Sequence, residues 1–202
     1  AFATFSVTLA PDAIGVAVFD HGDSPPGYSD RQFRFDYLDQ RIRALNRLSA
    51  FAYLSTNTPP IMTRLKAVVA SHSNGGAPLA PLAPLVVMDT APAAVLGATF
   101  DPATAARERV IICNVGNFHT LAFRMGPGGI EGVFEHHTGE IDQAKLDSLI
   151  DRLADGTLRH ADVFDDTGHG ALLYSTESIP EPRLVVTGPR RSLMRGSRHR
   201  PH

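Results

Sequence analysis

The order of apolar and polar residues already divides the chain into elements. Ala3, Phe5, Val7 and Leu9 alternate with Thr4, Ser6 and Thr8, the period-two pattern of a half-buried strand. Pro11-Asp12 interrupts this run, and Ala13 to Phe19 follows as a second, more fully apolar strand. Asp20 to Asp30 holds two prolines and two glycines, which predicts a loop. Leu38, Ile42, Leu45 and Leu48 then recur at helical spacing, with Asp39 and Arg43 placed to pair on the outer face. Thr58-Pro59 reads as an N-cap followed by proline at the first helical position, opening a second helix through Ile61, Leu65 and Val68.

Residues 71–84 (SHSNGGAPLAPLAP) are rich in Gly and Pro, which predicts a linker and a subdomain boundary. Beyond it, Leu85 to Met88 forms a short strand ending at Asp89. Arg109–Asn114, Thr120–Met125 and Ile130–His136 form three strands joined by tight turns at 115–118 and 126–129. Leu146, Leu149, Ile150 and Leu153 define an amphipathic helix that stops at Gly156, and Leu184–Val186 is one more strand. The expected fold class is α/β, a mixed sheet with an antiparallel strand–turn–strand meander followed by a helix. The expected organisation is an incomplete N-terminal subdomain at 1–70, the linker, an α/β subdomain at 85–188 and a basic tail at 189–202. Strand-like sequence at Ala1, with no methionine before it, suggests that an N-terminal portion is missing.

Composition narrows the function classes. A net charge of -2, with 43% hydrophobic and 20% charged residues, gives no basis for a nucleic acid or a membrane surface as partner, so a small-molecule or nucleotide ligand is expected. No apolar run approaches the ~20 residues of a membrane span, and no signal peptide opens the chain, which makes the cytoplasm the expected location. Cys113 is the single cysteine; it follows Ile111 and Ile112 and reads as a buried small hydrophobe. Arginines 190, 191, 195, 198 and 200 fall in a tail with no acid. So little apolar surface predicts that the tail is exposed from about Ser197 and dispensable.

Four segments carry candidate chemistry. Asn114 to Thr120 (NVGNFHT) sits between two apolar strands; backbone N–H groups around Gly116, the Thr120 hydroxyl, and Asn114 or Asn117 suit a phosphate, while an ordinary hairpin turn explains the same residues. In Glu135-His136-His137 a strand would direct Glu135 and His137 to one face and His136 to the other. In Asp165-Asp166-Thr167-Gly168-His169, paired carboxylates beside a histidine suit a divalent cation or a general base, or a solvated turn. Asp20-His21-Gly22, with Ser29, Asp30, Arg31 and Arg34, suits arginines directed at an anionic ligand, or a capped loop. His119, His137, His169 and Asp166 are the candidate catalytic cluster of a metal-dependent hydrolase or lyase, and Glu135, His137, Asp165 and Asp166 the candidate metal ligands. A non-catalytic binding domain is the remaining alternative. His21, His119, His136, His137 and His169 all fall at strand ends or in glycine-bearing turns, where α/β sheets place their sites.

The segments VAVFDHGDSPPGYSDRQFRF, VVMDTAPAAVLGA, CNVGNFHTLAF, GVFEHHTGEID, DDTGHGA and VVTGPRR resemble a family of unknown function that carries the label of a pyruvate formate-lyase activating enzyme. The resemblance runs from about Ile14 to Arg190. That family is similar in outline to the actin-like and sugar-kinase-like ATPases. The similarity implies ATP with Mg²⁺ as ligand, a phosphate loop at Asn114, Gly116, Asn117 and Thr120, and an adenosine-side turn at Thr187 and Gly188. The ATPase loop usually begins with an acid where this chain has Asn114. Radical activating enzymes hold an iron–sulfur cluster with three closely spaced cysteines, so one cysteine implies no such cluster here.

Overall fold

A computed structural model of the chain describes residues 11–74 and 83–202; the strand expected at Ala3–Leu9 and most of the 71–84 segment lie outside them. The described elements form a mixed α/β fold with two sheets. The larger sheet has the order β7-β6-β5-β4-β8, from β4 (Val110–Val115), β5 (His119–Gly126), β6 (Gly129–His137), β7 (Gly170–Leu173) and β8 (Leu184–Thr187). Its pairings are antiparallel except β4 with β8, which run parallel. The smaller sheet sets β3 (Leu85–Met88) between β1 (Ile14–Ala17), parallel, and β2 (Ala52–Leu54), antiparallel.

The β4–β5–β6 meander follows directly from its composition. Val110, Ile112, Leu121, Phe123 and Val133 face one side, and Ile111, Cys113, Ala122 and Phe134 the other. A central sheet is therefore apolar on both faces. Helix α5 (Gln143–Ala154) covers the second face through Leu146, Leu149, Ile150 and Leu153. Asp142 caps it, accepting from the Lys145 N–H at 2.8 Å, and Gly156 ends it at φ +78°, the left-handed region glycine tolerates.

The first face is covered by α1 (Asp30–Ala44) and α3 (Thr90–Ala98). Helix α1 is buried on two sides: Phe35, Leu38 and Ile42 join the core of the large sheet, and Tyr37 joins that of the small one with Tyr53, Leu65 and Val87. The Asp39–Arg43 pair is present at 2.7 Å, but the helix ends at Ala44 and Leu48 reaches the core from a following 3-10 turn. Helix α2 (Thr63–Asn74) begins five residues after the expected Thr58 cap, because the Thr58 hydroxyl bonds back to the Leu54 and Ser55 carbonyls. Asp20 caps it from a distance instead, accepting the Arg64 and Leu65 N–H groups at 2.9 Å each. Residues 71–74 of the expected linker are helical, and β3 on its far side pairs with β1 and β2.

Two short helices, α4 (Pro102–Ala105) and α6 (His160–Phe164), complete the chain. The expected exposure of the tail holds for Arg198, Arg200 and His202 but not for Ser197 and His199, and the segment makes contacts its composition did not suggest. Ser197 is 5% exposed and donates to Asp147 Oδ1 at 2.5 Å, His199 Nε2 lies 3.1 Å from Asp151, and Arg198 pairs with Asp151. His202 exchanges two backbone hydrogen bonds with β8, at 3.0 and 2.9 Å. Polar and main-chain bonds, rather than apolar burial, hold this segment. The acids it meets are Asp147 and Asp151 on α5 and Asp101 at the start of α4. Among the described residues no helix is long and apolar enough to cross a membrane.

Candidate functional site

Alternation along β5 and β6 sends His119, Glu135 and His137 to the face covered by α1 and α3, at one end of the large sheet. His136, one residue off, faces α5. The loop after β1 brings His21 to this end. A turn through Thr167 (φ +68°) and Gly168 delivers His169, whose N–H donates to the Glu135 carbonyl at 2.9 Å. Side chains on Gly168 would collide with Val163 and His136 at 2.6 and 2.8 Å. Arg31, from α1, secures that turn by donating to the Gly168 and Phe164 carbonyls at 2.6 and 2.9 Å.

The result is a knot of imidazoles around one carboxylate. One donor atom each from His21, His119, Glu135 and His169 lies within 4.8 Å of the others. His137 stacks on His169 with centroids 4.7 Å apart and meets His119 edge-on at 5.0 Å. Two donors on one ion at about 2.1 Å can stand no more than about 4.2 Å apart, so the widest pair would close by about 0.6 Å (4.8 − 4.2). His119 Nδ1, His169 Nδ1, Glu135 Oε1 and His137 Nε2 are buried without a hydrogen-bond partner among the described residues. His21 Nε2 sits 2.9 Å from Glu135 Oε1, but off hydrogen-bonding alignment. Buried polar atoms are almost always paired, so four neighbouring residues that each carry one without a hydrogen-bond partner form an unusual group.

Electrostatics prepare the group for a cation. Burial pushes His169 down to about 3 and His119 down to about 4, with Glu135 pulling both partly back, and burial lowers His137 as well. All three are neutral near pH 7, the form that ligates. Burial alone would raise the Glu135 carboxyl, yet the Arg34 charge, with the His21 imidazole beside it, holds it well below its usual range. Arg34, 1% exposed, donates to Glu135 Oε2 at 3.0 Å and to Asp89 Oδ2 at 2.8 Å. Asp89 Oδ1 in turn accepts the Asp20 N–H at 3.1 Å. Arg34 thus fixes the carboxylate and ties it to the segment bearing His21. The arginines expected to meet an anionic ligand instead hold carboxylates and carbonyls of the protein.

Beside the cluster opens a cavity of about 910 Å³, lined by Phe19, His21, Thr90, Ala91, Ala94, Asn114, Gly116, Asn117, Phe118, His119, His137, Glu140, Gly188 and Pro189 among others. The turns at 20–22, 114–120, 135–137 and 168–170 therefore do meet in space. Other expectations are corrected. Asp166 pairs with Lys145 at 2.8 Å and His136 at 3.3 Å on the opposite face, and Asp165 is the exposed C-cap of α6, so neither joins Glu135 and His137. The Gly116 N–H is spent on the His119 carbonyl at 2.9 Å, and the Thr120 hydroxyl is buried against Thr138 at 3.0 Å. Neither faces a ligand. Asn114, Asn117 and Gly188 do line the cavity, whereas Thr187 borders a separate hollow of about 480 Å³. The sequence tied His21 and Arg34 to an anionic ligand through their shared segment, and nothing in their spacing signalled that both would meet Glu135.

A family model described as "Putative pyruvate format-lyase activating enzyme (DUF1786)" matches residues 1–193. The chain belongs to this family. No curated protein and no solved structure matches it. The iron–sulfur cluster that the family's label implies does not fit these residues. Cys113 is the single cysteine, it is fully buried in the sheet, and burial pushes its thiol up to about 12. Cluster ligation needs several accessible thiolates.

Proposed function

We propose that this protein is a metal-dependent hydrolase whose centre is built by His21, His119, His169 and Glu135. The observation that carries the reading is the convergence of one donor atom from each of the four residues, three of which also carry a buried atom with no hydrogen-bond partner among the described residues. Three imidazoles and one carboxylate suit a first-row divalent ion such as Zn²⁺, Fe²⁺ or Mn²⁺. Such an ion supplies a Lewis acid and a bound water acidic enough to react near neutral pH. Arg34 holds Glu135 ionised and oriented, the outer-sphere role that ligating groups commonly need. His137, stacked on His169 and lining the cavity, would be the further imidazole available there to move a proton. In hydrolysis the water oxygen joins the acyl carbon, the carbon–heteroatom bond breaks, and the proton passes by His137 to the departing atom. Elemental analysis and calorimetric titration with Zn²⁺, Mn²⁺ and Fe²⁺ test the centre. About one ion per chain is expected in the wild type, with at least a tenfold loss of affinity in His169→Ala and Glu135→Gln. Wild-type protein that takes up none of these ions refutes the reading.

A nucleotide-binding role of the actin-like ATPase kind is the second reading, favoured by Asn114, Gly116, Asn117 and Gly188 lining one cavity. Against it, no lysine or arginine is among the described residues that line that cavity, and phosphate sites ordinarily supply such a charge. Titration with ATP and Mg²⁺ separates the two, since no heat at millimolar nucleotide removes this reading.

A further inference from the structure

Asn114 ends the face of β4 that carries Val110 and Ile112 toward α3. It is 7% exposed, lines the cavity, and makes no side-chain hydrogen bond among the described residues. Glycine at 188 keeps it open, and glycine at 116 borders it at ordinary contact distance. A Cβ on Gly188 (φ +101°) would stand 2.7 Å from Asn114 Oδ1, and one on Gly116 would stand 3.5 Å from Nδ2. Whichever way the amide is turned, it offers one donor and one acceptor side by side.

A second feature of the same cavity points the same way. Helix α3 begins at Thr90 after Asp89, whose side chain makes no capping hydrogen bond because Arg34 and the Asp20 N–H occupy its oxygens. Thr90 and Ala91, in that uncapped first turn, line the cavity, and such N–H groups favour an electron-rich oxygen. The remaining walls at Phe19, Ala94 and Pro189 are apolar, and Glu140 is the charged residue among them. An anion finds a carboxylate and, among the described residues, no lysine or arginine.

We propose that the cavity takes a neutral ligand bearing a –CO–NH– group, paired through its donor and acceptor with Asn114, its carbonyl oxygen directed at the first turn of α3 and its apolar remainder against Phe19 and Pro189. This names the substrate class for the hydrolytic centre proposed above and rests on that reading for the reaction, though not for the binding. Esters and carboxylates present acceptors alone and leave the asparagine donor or acceptor unpaired; a site built to pair such groups rejects analogues that lack them.

Three probes of nearly equal shape test it: benzamide, methyl benzoate and benzoate, titrated against the full chain by ligand-observed NMR, in EDTA and again with Zn²⁺. Benzamide is expected to bind the wild type at least about tenfold more tightly than either other probe in EDTA. The preference over methyl benzoate should vanish in Asn114→Leu and weaken in Asn114→Asp, which keeps an acceptor for the ligand N–H but no donor, with zinc stoichiometry and thermal midpoint close to wild type. The near-isosteric Asn114→Asp carries the test if the leucine variant folds poorly. Equal binding of all three probes, a preference for benzoate, or a benzamide preference that survives both substitutions overturns the proposal. Failure to take up zinc would remove the metal centre and leave the amide preference in EDTA to be judged by itself.

Discussion

Arg34 is the residue through which stability and the candidate centre are most tightly joined. Replacing it with methionine keeps the length and apolar stem of the side chain and removes its charge. Two buried carboxylates, Glu135 at 0% and Asp89 at 4% exposure, would lose partners held at 3.0 and 2.8 Å. Deleting one side of a buried ion pair costs about 3–5 kcal/mol, because the remaining charge stays desolvated. Against a total stability of about 5–15 kcal/mol this is a large loss. The sequence has no tryptophan, so urea unfolding followed by far-UV circular dichroism is the suitable assay. A bound divalent ion restores positive charge beside Glu135, so excess Zn²⁺ should recover part of the loss, with the recovery rising with zinc concentration. Pairing Arg34→Met with Glu135→Gln should cost less than the sum of the single substitutions, with a coupling of at least about 1 kcal/mol. Arg34→Met costing less than about 1 kcal/mol, or strictly additive changes, would refute the claim that Arg34 holds Glu135 as a carboxylate.

Metal-free protein should lose stability as pH falls below about 6.5. His169 is pushed down to about 3 and His119 to about 4, so between those values and the unfolded value only the unfolded chain takes up protons. Stability therefore rises with pH across that window. For the well-buried His169, 1.5 pH units below the unfolded value amounts to about 2 kcal/mol at pH 5. Melts in EDTA at pH 7 and pH 5 check this, and identical midpoints would contradict it. Ending the chain at Met194 removes the Ser197–Asp147 bond and the two main-chain bonds of His202 to β8. At about 1 kcal/mol each, the loss should be about 2–4 kcal/mol in urea titrations, and a change within 0.5 kcal/mol would return the tail to the dispensable role its composition suggests.

Sequence by itself determined the elements whose side chains alternate or recur against a core. The β4–β5–β6 meander and α5 are legible because period-two and period-3.6 burial is written into Ile111 to Val133 and Leu146 to Leu153. The same arithmetic at residues 135–137 correctly sends Glu135 and His137 to one face and His136 to the other. It passed over α3, whose TAPAAVLGA stretch is apolar on every side and so carries no period, and β7, only four residues long. What the tertiary structure alone decided is partnership. His21 and His169 lie 148 residues apart (169 − 21), and their meeting depends on β1 pairing with β3 and on α1 packing between the two sheets. Periodicity reports that a position is buried but not against what. For the same reason Arg34 could be read as facing a ligand and the tail as solvated, although Arg34 is held by Glu135 and Asp89 and the tail by Asp147, Asp151 and the β8 main chain. Those contacts join residues far apart in sequence, where local pattern has no reach.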